Sequence, residues 1–270
     1  RPHSRGITVT SPQPALAGWT ISLDLWGTLI THGDRQAASA WRITEFGRVL
    51  EAYGHHPSPE RLSESVRRAR ASAAHQQRTT GAQPSVEDQV AVVLEDLGIN
   101  PGAEGLMKLL ATVHTHATLR ACPQPMPGAL AALDTIKDAG ARVVLTSNTL
   151  ATPSDIHRRL LDSLGLLTVF DDMLFSGDLG VAKPRPEVFA AVAERAGSPF
   201  DRVIHVGDDP IADVDGALGA GCHAVHYNPH RESARRAVPD FADHAELPAL
   251  LVSLCSAPAA DLISRSASHD

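Results

Sequence analysis

Three strand-like apolar runs in this chain each stop at a cluster of polar or charged residues, and helix-like segments separate them. The first is Ile21 to Ile30, ISLDLWGTLI, where the apolar residues lead into Asp24, Trp26, Gly27 and Thr28. A run this short, with turn chemistry at its end, suits a buried strand that delivers Asp24 to the mouth of a sheet. Gly27 lets the chain bend directly after the carboxylate. By itself the segment reads first as a capped strand end with a solvated Asp, with a nucleophile or metal ligand at a strand's carboxyl end as the alternative.

Later segments bear on that choice. In ARVVLTSNT (141–149) the run Val143 to Leu145 ends in Thr146, Ser147, Asn148 and Thr149. Small donors at a strand end bind a phosphoryl oxygen without filling the space it needs. In GVAKPRPEVF (180–189) Lys183 stands ahead of Pro184 and Pro186, on a stiffened, non-helical stretch that can aim an ammonium inward. In VIHVGDDPIADVDGALGAG (203–221) a buried-type strand ends at Gly207, Asp208 and Asp209, with Asp213 following. Carboxylates around a turn, with no His or Cys framework, suit a hard cation such as magnesium.

Taken in order, these four segments resemble the haloacid dehalogenase superfamily of hydrolases, over roughly Trp19 to Leu254. The resemblance implies that Asp24 is the nucleophile and that Ser147 binds phosphate, with Thr28 and Asn148 beside it. Lys183 matches the family's lysine, and the GDxxxxD pattern matches its acidic pair as Asp208 and Asp213. It further implies a Mg²⁺ ion held by Asp24, Asp208, Asp213 and the backbone carbonyl of Trp26.

The chain departs from that pattern at Trp26. Family phosphatases usually carry a second Asp at this position as general acid and base. Indole has only a donor nitrogen and cannot shuttle a proton. Loss of such a group typically costs ~10²–10⁴ in rate. Trp26 either fills the space an acid would leave or forms an apolar wall or stacking surface for substrate. His32 and Asp34 follow the catalytic strand closely, as exposed loop residues or as a replacement acid.

Helical periodicity replaces strand-turn units between Asp34 and Arg120. Helices are expected at 35–53, with Ala38, Trp41, Ile43, Phe46, Val49 and Leu50 on one face, at 59–77, at 84–97 and at 103–119. The second, Ala- and Arg-rich and containing the basic run SVRRAR, reads as a solvated helix. A four-helix insertion after the first motif resembles the C1 cap of the superfamily, which closes over the site and limits it to small substrates. After Gly128, helices at 129–139, 154–164, 186–196 and 211–220 alternate with strands near 143–145, 173–176, 203–207 and 224–225. The expected fold is therefore a Rossmann-like doubly wound parallel α/β sheet, residues 19–33 and 121–254, interrupted by a helical cap at 34–120. Residues 1–18 read as a flexible extension and 255–270 as a loose tail.

Net charge of −7 without a basic tract argues against nucleic acid as a partner. No segment is long enough to span a bilayer. Cys122, Cys222 and Cys255 are odd in number and far apart, which favours a reducing cytoplasm over a disulfide framework or a zinc site. Among the fourteen histidines none forms a site, and His205, inside the last motif strand, reads as a core or second-layer residue. Oligomeric state is open. The leading functional expectation is a magnesium-dependent hydrolase of a small phosphorylated metabolite, acting through an aspartyl-phosphate. A metal-independent dehalogenase-like hydrolase and a non-catalytic phosphate-binding module are the alternatives.

Overall fold

Strand residues alternate between two apolar layers, and that alternation organises the core. In the computed structural model, which describes residues 14–233 and 235–256, six strands form one sheet. They are β1 (Thr20–Leu23), β2 (Arg142–Ser147), β3 (Asp172–Phe175), β4 (Val203–Gly207), β5 (His223–Tyr227) and β6 (Asp240–Phe241). Ile21, Leu23, Val143, Leu145, Ile204 and Val206 point to one face. Val144, Leu174, Val203 and Ala224 point to the other. Both faces are covered, so the strands read as continuous apolar runs rather than alternating ones.

The strand order is β3-β2-β1-β4-β5-β6, and every neighbouring pair is parallel. The chain winds outward from β1 through β2 and β3, then crosses back to β4 on the other side of β1. The carboxyl ends of β1 and β4 thus flank the reversal point, where open parallel sheets place their ligands. Leu23 lies in register with both Leu145 and Val206, which brings the ends of β1, β2 and β4 level.

Between β1 and β2 the chain inserts four helices: α1 (Arg35–Ala52), α2 (Pro59–Thr80), α3 (Val86–Leu97) and α4 (Leu106–His116), closed by a 3₁₀ turn at Ala117–Ala121. Local chemistry sets their ends. Ser58 caps α2 with Pro59 in its first turn, and Ser85 and Asp88 form a reciprocal capping box on α3. The insertion has its own core of Phe46, Leu50, Leu62, Val66, Val90, Val93, Leu94, Leu106 and Leu110. Each such side chain contributes about 1.5–3 kcal/mol when removed from water. The remaining helices flank the sheet: α5 (Ala129–Asp138), α6 (Ser154–Ser163), α7 (Ser176–Leu179), α8 (Pro186–Ala196), α9 (Gly216–Gly219) and α10 (Leu247–Ser256).

Strand β6 and helices α7 and α10 were not expected, and four further differences stand out. Helix α2 is not solvated: Leu62, Val66, Ala69 and Ala73 are buried at helical spacing against the cap. Its arginines masked that stripe by lowering the mean apolarity. The core begins before residue 19, because Leu16 is fully buried and its N–H donates to the Ala139 carbonyl at 2.8 Å. Residues 255–256 belong to α10; the rest of the expected tail and residues 1–13 lie outside the described residues. Finally, the segment after β4 opens as a wide π-type turn, Pro210–Asp215, before α9. Such turns are frequent at functional sites.

A seam of polar side chains ties the insertion to the loop after β2. Gln77 and Gln83 donate to the Thr149 carbonyl at 3.1 and 2.9 Å, and Gln89 donates to the Leu150 carbonyl at 2.6 Å. Arg78 pairs with Asp209 at 3.0 Å.

Candidate active site

Lys183 is the centre of the site, and its side chain is almost completely buried. Its ammonium donates to Asp24 Oδ1, to the Thr146 carbonyl and to Asp213 Oδ1, each at 2.7 Å. Burial alone would disfavour the charge, but the carboxylates of Asp213 and Asp24 more than offset that and raise its pKa. Asp213 is likewise buried, yet Lys183 and a hydrogen bond from His205 hold its carboxyl well below the usual range. His205 Nε2 donates to Asp213 Oδ1 at 3.0 Å, while its Nδ1 lies 2.9 Å from Ser22 Oγ. Ser22 Oγ is in turn 2.8 Å from Thr146 Oγ1. A continuous polar chain therefore runs through the sheet from Ser22 to Asp24. The expected second-layer place of His205 is what the geometry shows.

Asp208 stands at the end of β4, beside Asp24. Thr28 Oγ1 donates to Asp208 Oδ1 at 2.9 Å. Two glycines make room for this arrangement. A Cβ on Gly27, which has φ +85°, would lie 2.6 Å from Asp208 Oδ2, and one on Gly207 would lie 2.2 Å from Asp213 Cγ.

Asp24, Asp208 and Asp213 each bring a carboxylate oxygen within 4.8 Å of the others. Burial, then the neighbouring Asp213 and Asp208 charges, raise Asp24 to about 7 against the pull of Lys183. Burial and Asp213 raise Asp208 to about 6. One ammonium thus leaves the three carboxylates short of positive charge, and an all-oxygen donor set fits magnesium. The four expected ligands are not equivalent. Both Asp213 oxygens are committed, Oδ1 to Lys183 and His205 and Oδ2 to the Asp209 N–H at 2.9 Å. Asp213 therefore supports the site from behind, while the Oδ2 atoms of Asp24 and Asp208 take no hydrogen bond among the described residues and remain open to a cation. The Trp26 carbonyl takes none of the backbone hydrogen bonds of the β1 turn, which leaves it available to a cation.

The three residues expected to bind phosphate are placed differently. Ser147 ends β2 with only a 3.4 Å contact to the Asn148 carbonyl, so its hydroxyl is available to a ligand. Asn148 has a further role besides the expected one. Its carboxamide accepts from the Lys183 N–H and donates to the Lys183 carbonyl, both at 2.9 Å, and so clamps the lysine's backbone. The Thr28 hydroxyl is similarly spent on Asp208. The one hydroxyl proton of Thr28 is thus taken, whereas Asn148 keeps a second amide N–H and lines the cavity.

Next to this cluster, reached through Trp26 and Asn148 rather than lined by the carboxylates or Lys183, lies a cavity of about 380 Å³, bounded by Trp26, Asn148 and Thr149 on the sheet side and by α1 and α2 on the cap side. Trp26 is a partly buried wall of it. Its indole N–H donates to His157 Nε2 at 3.2 Å, and His157 Nδ1 faces the Pro153 carbonyl at 3.1 Å. Burial lowers His157 to about 4, so the ring is neutral. His32 stacks on Trp26 with ring centroids 6.0 Å apart and also lines the cavity. Asp34 does not: it caps α1 by accepting from the Ala37 N–H at 2.8 Å.

His157, Arg42 and Arg70 line this cavity and were missed in the sequence. The first carried no local signal. Arg42 carried one: it lies four residues from Ala38 and Phe46, on the buried stripe of α1, where a charge is out of place. Arg70 was hidden in a run of exposed arginines.

Asp24, Lys183, Asp208 and Asp213 gather at adjoining strand ends beside the inserted helices. Residues 20–221 match the haloacid dehalogenase-like hydrolase family. The chain belongs to that family. Its relatives include a pyrimidine 5'-nucleotidase of Escherichia coli, 30% identical over 54% of this chain and 61% of its own length. A ribulose-1,5-bisphosphate 5-phosphatase of Halopiger xanaduensis is 31% identical over 44% of this chain and 52% of its own. The matched segment thus spans about half to three-fifths of these relatives. A 2-haloacid dehalogenase of Pseudomonas syringae superposes with a TM-score of 0.63 at 22% identity, covering 87% of this chain and 98% of that one. At that identity the likeness establishes the fold.

Proposed function

We propose that this chain is a magnesium-dependent phosphatase of a small phosphorylated metabolite. The observation that carries the reading is the grouping of three carboxylates around one buried ammonium. Without a divalent cation, a dianionic phosphate would meet net negative charge at the strand ends. Phosphatase relatives support the same reading. Asp24 Oδ1 is held by Lys183, leaving Oδ2 to attack phosphorus and form an aspartyl-phosphate. Ser147 donates to a phosphoryl oxygen, and the Lys183 charge, its three N–H groups already taken, acts on the developing charge through space. Magnesium, held by Asp24, Asp208 and the Trp26 carbonyl, supplies further charge neutralisation when bound. Water then cleaves the aspartyl-phosphate.

No carboxyl group stands at position 26 to protonate the leaving oxygen. His157 is neutral and both its nitrogens are engaged, so the leaving group departs unaided or takes its proton from His32 or the substrate. The three cysteines are free, which supports a reducing, cytoplasmic setting; no helix among the described residues is long and apolar enough to cross a membrane.

A dehalogenase-like reading needs no acid at position 26, because a halide leaves without a proton. Assays with and without chelator separate the two. Release of phosphate that stops in excess chelator and returns with Mg²⁺ is expected. Undiminished turnover in chelator, with halide released from a 2-haloacid, would replace the phosphatase reading with the dehalogenase one.

A further inference from the structure

The cap side of the cavity holds three arginines, the buried Arg42, the half-buried Arg70 and the exposed Arg35, and among the described residues no acidic side chain lines the cavity with them. Arg42 is 4% exposed, and its Nε has no hydrogen-bond partner. Among the described residues, none of the three side chains forms an ion pair or a hydrogen bond, whereas most other arginines of the cap pair with a carboxylate. A buried guanidinium normally has an anionic partner, because removing the charge from water is costly. The arginines also repel one another: burial and then Arg70 lower Arg42 to about 9, and burial and then Arg35 lower Arg70. His114, behind them, adds no negative charge; its Nε2 contacts Gln89 at 3.2 Å and its Nδ1 is unpartnered. This concentration of unpaired positive charge destabilises the cap and is explained by a ligand that brings the missing anion.

We propose that Arg35, Arg42 and Arg70 form a second anion subsite at the cap end of the cavity, so that the substrate is a phosphate ester whose organic part ends in another anionic group. Resting on the phosphatase reading, this narrows its substrate class. The strand-end carboxylates and their cation take the scissile phosphate, and the arginines take a carboxylate or a second phosphate at the far end. Arginine suits either, since its planar fork matches both oxygen geometries. Trp26 and Ala38 line the same cavity, which fits a short apolar spacer.

Calorimetric binding in Mg²⁺ tests the subsite without turnover. Three probe series of two to four carbons are compared: alkylphosphonates, ω-phosphonocarboxylates and α,ω-bisphosphonates. At the best length, one of the doubly anionic series should bind at least about tenfold tighter than the matching alkylphosphonate, and the tighter series identifies the second group. Arg42→Met should abolish most of that preference and, by deleting an unpaired buried charge, should melt above wild type without ligand. Arg70→Met, at a partly exposed position, should also reduce the preference and covers the case in which the Arg42 variant fails to fold. Equal affinities at every length, or a preference that survives in the folded variants, would overturn the subsite. A preference without turnover would keep the subsite and remove the phosphatase reading; turnover of 4-nitrophenyl phosphate without a preference would do the reverse.

Discussion

The indole nitrogen of Trp26 donates to His157 Nε2, which is thereby held as an acceptor 3.2 Å away. This one bond occupies the only donor of Trp26 and fixes the tautomer of the nearest imidazole, so neither ring is left to protonate a leaving group.

Rates on wild type should therefore depend steeply on leaving-group basicity. Aryl or acyl phosphates should exceed simple alkyl phosphates by roughly 10²–10⁴ in kcat/KM, the typical worth of a general acid. A series of esters with graded leaving-group pKa measures the slope. A flat slope, with chemistry shown to be rate-limiting, would place a proton donor in the cavity, and His32 would be the first residue to substitute.

Asp24→Asn should reduce kcat below about a tenth of wild type, because an amide is a poor nucleophile. The fold should persist, since Lys183 keeps Asp213 and the Thr146 carbonyl as partners. Steady-state kinetics beside a circular-dichroism melt reads both at once. Retained turnover would exclude covalent catalysis by Asp24.

Asp213→Asn should behave in the opposite sense, costing stability as well as activity. It removes the carboxylate shared by Lys183 and His205 and leaves a buried charge short of a partner, a loss of about 3–5 kcal/mol. Chemical denaturation gives the figure. A variant as stable as wild type would mean that Asp24 alone compensates Lys183.

His157 should give stability a pH dependence of its own. Its folded pKa of about 4 lies below the ordinary 6.5 because of burial, so the unfolded chain binds the proton more readily between those values. The stabilisation is fully present above pH 6.5 and falls away as pH drops toward 4, by roughly 3 kcal/mol. His157→Gln, whose amide can still accept from Trp26, should show a shallower loss than wild type across that window. Parallel profiles would show that His157 is free to protonate in the folded protein.

Strand and helix order was legible in the chain because each run's periodicity is local: α8 spans Pro186–Ala196 as read, and α5 and α6 end within a residue of expectation. The π-type turn at Pro210–Asp215 was not, since its width follows from the inward bonds of Asp213 to Lys183, His205 and Asp209 rather than from local propensity. Asn148 and Thr28 illustrate the same limit. Their donor chemistry was visible, but which acceptor they meet depends on segments 35 and 180 residues away.

Sequence by itself determined the alternation of strands and helices, the inserted cap and the residues that could carry chemistry, because apolar spacing, turn residues and motif order are written along the chain. Tertiary structure alone decided which of those residues share a site. It set Asp213 behind Lys183, turned Asn148 into a clamp, bound Trp26 to His157, and gathered Arg35, Arg42 and Arg70 over one cavity. Charge pairing and burial are properties of neighbours in space. An arginine in a helix reads as solvated until the packing of α1 and α2 shows, as for Arg42, that it is buried and unpaired.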